Sequence, residues 1–142
     1  MATLASVQAA ALRRLLDAAV TGDRAAMADL VTDDVVAWSP NLIVMSRQDL
    51  LDALEPADGS LSEIDVEVHG VDQIGDKAVA EWHLAATHSG PMVIDDDVVV
   101  APTGRRLHLS GATIAEFSGD HICAFRSYFD DLALLEQALA GS

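Results

Sequence analysis

The hydrophobic period of this chain changes once, near Leu61, and that change narrows what it can fold into. Before it, Leu4, Val7, Ala11, Leu12, Leu15, Leu16 and Ala19 recur at helical spacing and mark one stripe of a long amphipathic helix. Gly22-Asp23 breaks the pattern, and Asp23 is placed to cap a short second helix carrying Ala25, Met27, Ala28 and Leu30. Val35 to Trp38 reads as a brief strand ended by Ser39-Pro40-Asn41. Ser46 and Asp49 have capping-box spacing for a third helix, residues 47–54. Pro56 to Ser60 is a loop by composition. From Leu61 the period is two: Ile64, Val66 and Val68 alternate with Glu63, Asp65, Glu67 and His69, as in a half-buried strand. Turn signals at Gly75-Asp76, Ser89-Gly90-Pro91, Pro102-Thr103-Gly104 and Ser118-Gly119-Asp120 divide the rest of the chain into strands 78–87, 92–100, 105–117 and 121–129. Asp130 and Asp131 put negative charge where a closing helix begins. Helices followed by an antiparallel meander predict an α+β fold.

A chain of 142 residues, 51% of them hydrophobic, is long enough for one domain with a real core, and we expect a single domain over residues 1–142. Only 4% are aromatic, so that core is built mainly from Ala, Val and Leu. The 23 acidic residues against 8 basic ones argue against nucleic-acid partners, which need clustered Lys and Arg, and against an anionic membrane surface. Cys123 is the sole cysteine, which excludes an internal disulfide and any multi-cysteine metal site. Arg13, Arg14 and Asp17 interrupt the apolar start, unlike a signal peptide, and no span has the length to cross a bilayer. The expectation is a soluble, cytoplasmic protein.

The closing segment, Gly119-Asp-His-Ile-Cys-Ala-Phe-Arg-Ser-Tyr-Phe-Asp-Asp-Leu-Ala-Leu-Leu-Glu-Gln137, is the most specific stretch. Together with Ser89-Gly-Pro-Met92 and Pro102-Thr-Gly-Arg-Arg-Leu107, it resembles the end of SnoaL-like proteins. These belong to the NTF2-like superfamily, with polyketide cyclases, ketosteroid isomerases and limonene epoxide hydrolases. The resemblance implies a cone: a strongly curved antiparallel sheet wrapped around the N-terminal helices, an apolar cavity open at one end, and a short C-terminal helix. It implies a homodimer through the outer sheet face, an apolar small-molecule ligand or substrate, and no cofactor. In the cyclases and epoxide hydrolases an aspartate stands three residues before the aspartate that opens the last helix; aligned on Asp130, that place holds Ser127. The epoxide hydrolases' arginine and second aspartate fall on Trp82 and Leu84, and their water-holding tyrosine and asparagine fall near Ala37 and Ser39. A serine without a partner base is neither acid nor base near neutral pH. The relatives' acid–base apparatus is therefore not preserved.

For such a cavity, alternation selects the wall. One face of the last strand holds Phe125, Ser127 and Phe129, and one face of the long strand before it holds Leu107, Leu109, Gly111 and Thr113. Trp82, Leu84, Ala86 and His88 share a face of the strand 78–87 and its end. Opposite them, His83, His108, Arg126 and Tyr128 belong to the outer face that the resemblance gives to a second copy. His88, near a strand end, is the candidate acid or base, since histidine titrates near neutrality; its other reading is a turn histidine. Ser127 is either its catalytic partner or a small polar cavity residue. Trp38 and Trp82 could stack on a planar ligand or simply fill space. Asp95-Asp96-Asp97 could suggest a metal site, but adjacent carboxylates alternate across a strand, and an exposed acidic edge is the simpler reading. His69, His83, His108 and His121 lack metal-ligand spacing, and Arg105 and Arg106 suit ion pairs with nearby acids. Two functions stay open. One is a cofactor-independent isomerase, cyclase or hydrolase of a hydrophobic polyketide-, steroid- or terpenoid-like compound, with His88 and Ser127 as its polar pair. The other is a non-catalytic binding module or dimeric scaffold.

Overall fold

In the computed structural model, which describes residues 3–40, 42–54, 60–95 and 98–140, the N-terminal stripe folds as helix α1 (Leu4–Thr21). The Thr3 side chain caps it by accepting from the Ser6 N–H, and Gly22 ends it in the left-handed region at φ 71°. Leu12, Leu15 and Ala18 bury its inner face. Asp23 caps α2 (Arg24–Leu30) through the Ala26 N–H, as its position in the sequence predicts. Ser46 caps α3 (Arg47–Ala53) by accepting from the Asp49 N–H at 3.1 Å. In return the Asp49 carboxylate accepts from the Met45 N–H at 3.4 Å, one residue earlier than in a regular capping box.

Six strands make the main sheet: β1 (Val31–Ser39), β2 (Leu42–Val44), β3 (Leu61–Ile74), β4 (Lys77–His88), β7 (Arg106–Ser118) and β8 (His121–Phe129), in the order β2-β1-β8-β7-β4-β3. The expected all-antiparallel sheet is corrected here, because β1 lies parallel to β8. Alternation fixes which side chains face inward but carries no information on strand direction. The β7–β8 hairpin leaves one edge of β8 unpaired, and the helical N-terminal half delivers β1 to it. Strand β2, absent from the sequence expectation, folds back on β1 beyond Ser39. Residues 92–100, expected as one strand, form a separate ribbon of β5 (Met92–Asp95) and β6 (Val98–Val100), with Met92 opposite Val100. Asp96 and Asp97, on which the metal reading depends, lie outside the described residues, as does the 55–59 part of the expected loop.

Bulges bend the sheet. The β3–β4 register slips between Ser62 and Asp65 and again between Val68 and Gly70, and Glu63 takes a φ of 49° at the first slip. Each extra residue locally increases twist and bending. The concave face closes on α1, which packs against β3, β4 and β8. The core there joins Leu12 and Leu15 to Ala78, Ala80, Ala115, Ile122 and Phe125. Helix α4 (Asp131–Leu139), capped by Asp130 through the Leu132 N–H, covers the end of β7 that β8 is too short to pair. Its Gln137 amide takes the place of a strand: Nε2 donates to the His108 carbonyl at 2.6 Å and Oε1 accepts from the His108 N–H at 2.7 Å. An open edge is thereby closed by a side chain.

Candidate functional site

Between α1, α3 and the concave sheet lies a cavity of about 610 Å³, a size usual for small-molecule sites. Leu16, Ala19 and Val20 of α1, Ala53 and Leu54 at the end of α3, and Ile64 and Val66 of β3 form one side. Trp82, Leu84, Ser127 and Phe129 form the other. A second chamber of about 350 Å³ adjoins it, reaching Phe125, Thr113 and Ser39, and shares Leu16, Ala19, Ala53, Leu54, Ser127 and Phe129 with the first. Most inward positions of the strands are aliphatic or aromatic, so the wall is largely apolar. Arg24, the one charged side chain among the described lining residues, donates to the Leu51 carbonyl.

Ser127 brings a hydroxyl from the sheet into this wall; Thr21 of α1 lines the main chamber too, its hydroxyl donating to the Asp17 carbonyl at 2.9 Å. Its partner across the β7–β8 ladder is Thr113, and the two hydroxyl oxygens are 2.8 Å apart. Thr113 is fully buried and also accepts from the Trp82 indole Nε1–H at 3.0 Å. The register explains this reach. Trp82 is paired with Gly111, and a Cβ at Gly111 would lie 2.4 Å from the indole ring. Only a residue without a side chain lets the indole lie across β7 and extend two residues along it to Thr113. Phe129 packs on the same indole with ring centroids 6.0 Å apart. Trp82, Thr113 and Ser127 thus form a short polar chain ending at a hydroxyl in an apolar chamber.

The other expected site residues divide between this cavity and other places. Trp82, Leu84 and Phe129 line the main chamber and Phe125 the adjoining one. Ala86, Leu107 and Leu109 face inward as alternation requires and are buried, but lie outside both linings. Gly111 seats the indole and does not itself form wall. Trp38 is corrected outright: 41% exposed, it stands on the convex face against Tyr128, with ring centroids 5.3 Å apart. The β1 strand begins earlier than expected, and its alternation turns Ala37 and Ser39 inward and Trp38 outward.

His88 and Ser127 do not meet. Ser127 is opposite Thr113 and Thr113 is opposite Ala80, while His88 is eight residues further along β4, on the order of 25 Å of extended strand. The imidazole is fully buried against the Thr103 turn: Nδ1 accepts from the Thr103 N–H at 3.3 Å and lies 3.1 Å from its hydroxyl. With Nδ1 accepting, the ring proton belongs to Nε2, which is buried without a partner among the described residues. The His88 backbone also exchanges bonds with Arg105 and Gly104 at 2.9 Å. This histidine locks the turn leading into β7.

On the convex face, His83 and His108 stack at 5.2 Å with Nε2 and Nδ1 3.0 Å apart. Arg126 donates to Glu116 at 2.8 Å. That bond holds the Glu116 carboxyl below its ordinary value of 4.5, against the opposing effect of burial, and raises the guanidinium correspondingly. Arg106 pairs with Asp65 at 2.7 Å, in line with the ion pairing expected of an arginine after the Pro102 turn. Among the described residues, no group of three or more His, Cys, Asp or Glu is placed to hold a metal ion, and no helix is long and apolar enough to cross a membrane.

The lining residues that the strand pattern misses are those of α1 and α3, because alternation speaks only for strands. The helical stripe of Leu12, Leu15, Leu16 and Ala19 was the available signal. Thr113 carried one as well, being the polar member of an otherwise apolar strand face.

Comparison with known proteins matches residues 12–125 to the SnoaL-like domain family, a stretch that ends just before Ser127. Solved structures share the fold. A candidate SnoaL-like polyketide cyclase from Jannaschia sp. CCS1 superimposes with a TM-score of 0.77 at 18% identity, covering 96% of this chain and 94% of the other. IdmH, a candidate polyketide cyclase from Streptomyces antibioticus, gives 0.74 at 19% identity, with 94% and 97% covered. An epoxide hydrolase of the limonene epoxide hydrolase-like type from M. tuberculosis gives 0.69 at 17% identity, with 95% and 91% covered. No functionally curated protein matches the sequence.

Proposed function

This chain belongs to the SnoaL-like domain family, and on that footing we propose that it binds a hydrophobic polyketide-, steroid- or terpenoid-like small molecule in the cavity between α1 and the sheet, with a ligand oxygen on Ser127 Oγ. The observation that carries this reading is the Ser127 hydroxyl, supported from behind by Thr113 in a largely apolar wall. Burial of the ligand's hydrocarbon supplies affinity at about 25 cal/mol per Å² of apolar surface. One hydrogen bond then fixes which way round it sits. Relatives of this fold include proteins described as cyclases and an epoxide hydrolase. An isomerase, cyclase or hydrolase activity on the same compound is the second reading, and enclosure of a polar group in an apolar chamber favours it. Neither Ser127 nor Thr113 is a base, however, so binding is the function the site supports best.

The test is a titration with 2-acetylnaphthalene, a rigid bicyclic ketone, of the wild type and of Ala19→Trp. Ala19 lines both chambers, so an indole there takes up part of the space a ligand needs. Saturable binding in the wild type, lost in Ala19→Trp with unfolding unchanged, supports the cavity; equal binding in both removes it. Ligand recovered intact favours the binding reading, and a new product favours the enzyme.

A further inference from the structure

The hydrogen-bond inventory at the end of the polar chain fixes a direction. Thr113 Oγ1 has one proton to give and two lone pairs. The indole N–H is a donor only, so it occupies a lone pair and takes no proton. Thr113 borders the second chamber, but at 0% exposure it leaves no surface there for water to reach its oxygen. Its remaining partner is Ser127 Oγ at 2.8 Å. Were Ser127 to donate along that contact, the Thr113 proton would be buried without an acceptor, a costly arrangement. Thr113 therefore donates and Ser127 accepts. The Ser127 proton is then free of intramolecular partners among the described residues and turns to the cavity.

We infer that Ser127 presents a hydrogen-bond donor to the cavity, set in that direction by Thr113 and Trp82, and that the ligand is one whose apolar body carries an acceptor oxygen: a ketone, ester or lactone carbonyl. This rests on the cavity-binding reading and adds the chemistry of its polar end. Thr113 and Trp82 are positioning residues here. The indole excludes the alternative orientation of the Thr113 hydroxyl, and successive donors polarise one another, so the terminal O–H is a better donor than an isolated serine. A carbonyl placed there gains a bond that a methylene at the same place does not.

Equilibrium dialysis with two near-isosteric probes, 2-acetylnaphthalene and 2-ethylnaphthalene, reads the selectivity directly. The quantity is the ratio of ketone to hydrocarbon affinity in the wild type, in Thr113→Val and in Thr113→Ser. Val keeps the shape and removes the donor; Ser restores it. The ratio is expected to fall in Thr113→Val, where Ser127 keeps its hydroxyl but loses the donor that orients it, by less than the roughly tenfold that one net hydrogen bond is worth, and to return in Thr113→Ser. A general loss of packing would lower both affinities and leave the ratio alone. An unchanged ratio in Thr113→Val, with both probes still retained, overturns the donor assignment while the cavity reading survives. Retention of neither probe by the wild type overturns both.

Discussion

Gly111 gives the clearest case of one position shaping the site. Its Cα hydrogen leaves the space in which the Trp82 indole lies, and an added Cβ would stand 2.4 and 2.6 Å from ring carbons and 2.8 Å from the Tyr128 carbonyl. The indole is held in turn by Thr113 and Phe129, so it cannot swing aside without breaking the polar chain. Gly111→Ala is expected to cost about 1–3 kcal/mol, the range for overpacking a filled core. Ligand affinity should fall with it, because the displaced ring is both wall and donor. Denaturant unfolding checks the first effect; a loss below about 0.5 kcal/mol would mean that the ring has room to move.

At the scale of elements, β7 and β8 carry the argument, with Thr113 and Ser127 on one side and Glu116 and Arg126 on the other. The Glu116–Arg126 pair is partly exposed and its contribution is correspondingly small, about 0.5 kcal/mol at neutral pH. Its pH dependence has a definite sign. The Glu116 carboxyl is lowered in the folded state, chiefly by the bond from Arg126, so its contribution is complete above the ordinary value of 4.5 and is lost as pH falls through the lower folded value. The stability difference between the wild type and Glu116→Gln should therefore be level near neutrality and close as the pH falls below 4.5. A difference that widened on acidification would contradict the pairing. The faces of β4, β7 and β8 were legible in the sequence because alternation with one buried side leaves little choice of register. The parallel pairing of β1, the three-residue β2 and the pairing of β5 with β6 were not, since each depends on partners that alternation does not identify. His88 shows the same limit. Alternation places it inward correctly, but only the register reveals that it lies at the far end of β4 from Ser127.

The whole molecule presents two faces of the sheet with different uses. The concave face is closed by α1 around the cavity. The convex face leaves Val36 40%, Trp38 41% and Tyr128 46% exposed beside Arg126 and the His83–His108 stack. We propose that a second copy covers this face in a two-fold homodimer. Sedimentation at micromolar concentration should then give twice the chain mass for the wild type and the single mass for Trp38→Asp, in which a carboxylate would be buried unpaired. A wild-type monomer would dismiss the interface. The fold at this scale was readable from the order of elements and the closing segment, whereas the polar centre of the cavity was not. Ser127 stood out only as a departure from relatives, and its support by Thr113 and Trp82 arises from strand register that the sequence does not display.

The two tryptophans, one on each face, permit the most direct test of the cavity as the binding site. In the 2-acetylnaphthalene titration, followed through the two indole N–H resonances, Trp82 should shift saturably and Trp38 should stay in place. Movement of the Trp38 resonance with Trp82 unchanged would put the ligand on the convex face and contradict the account.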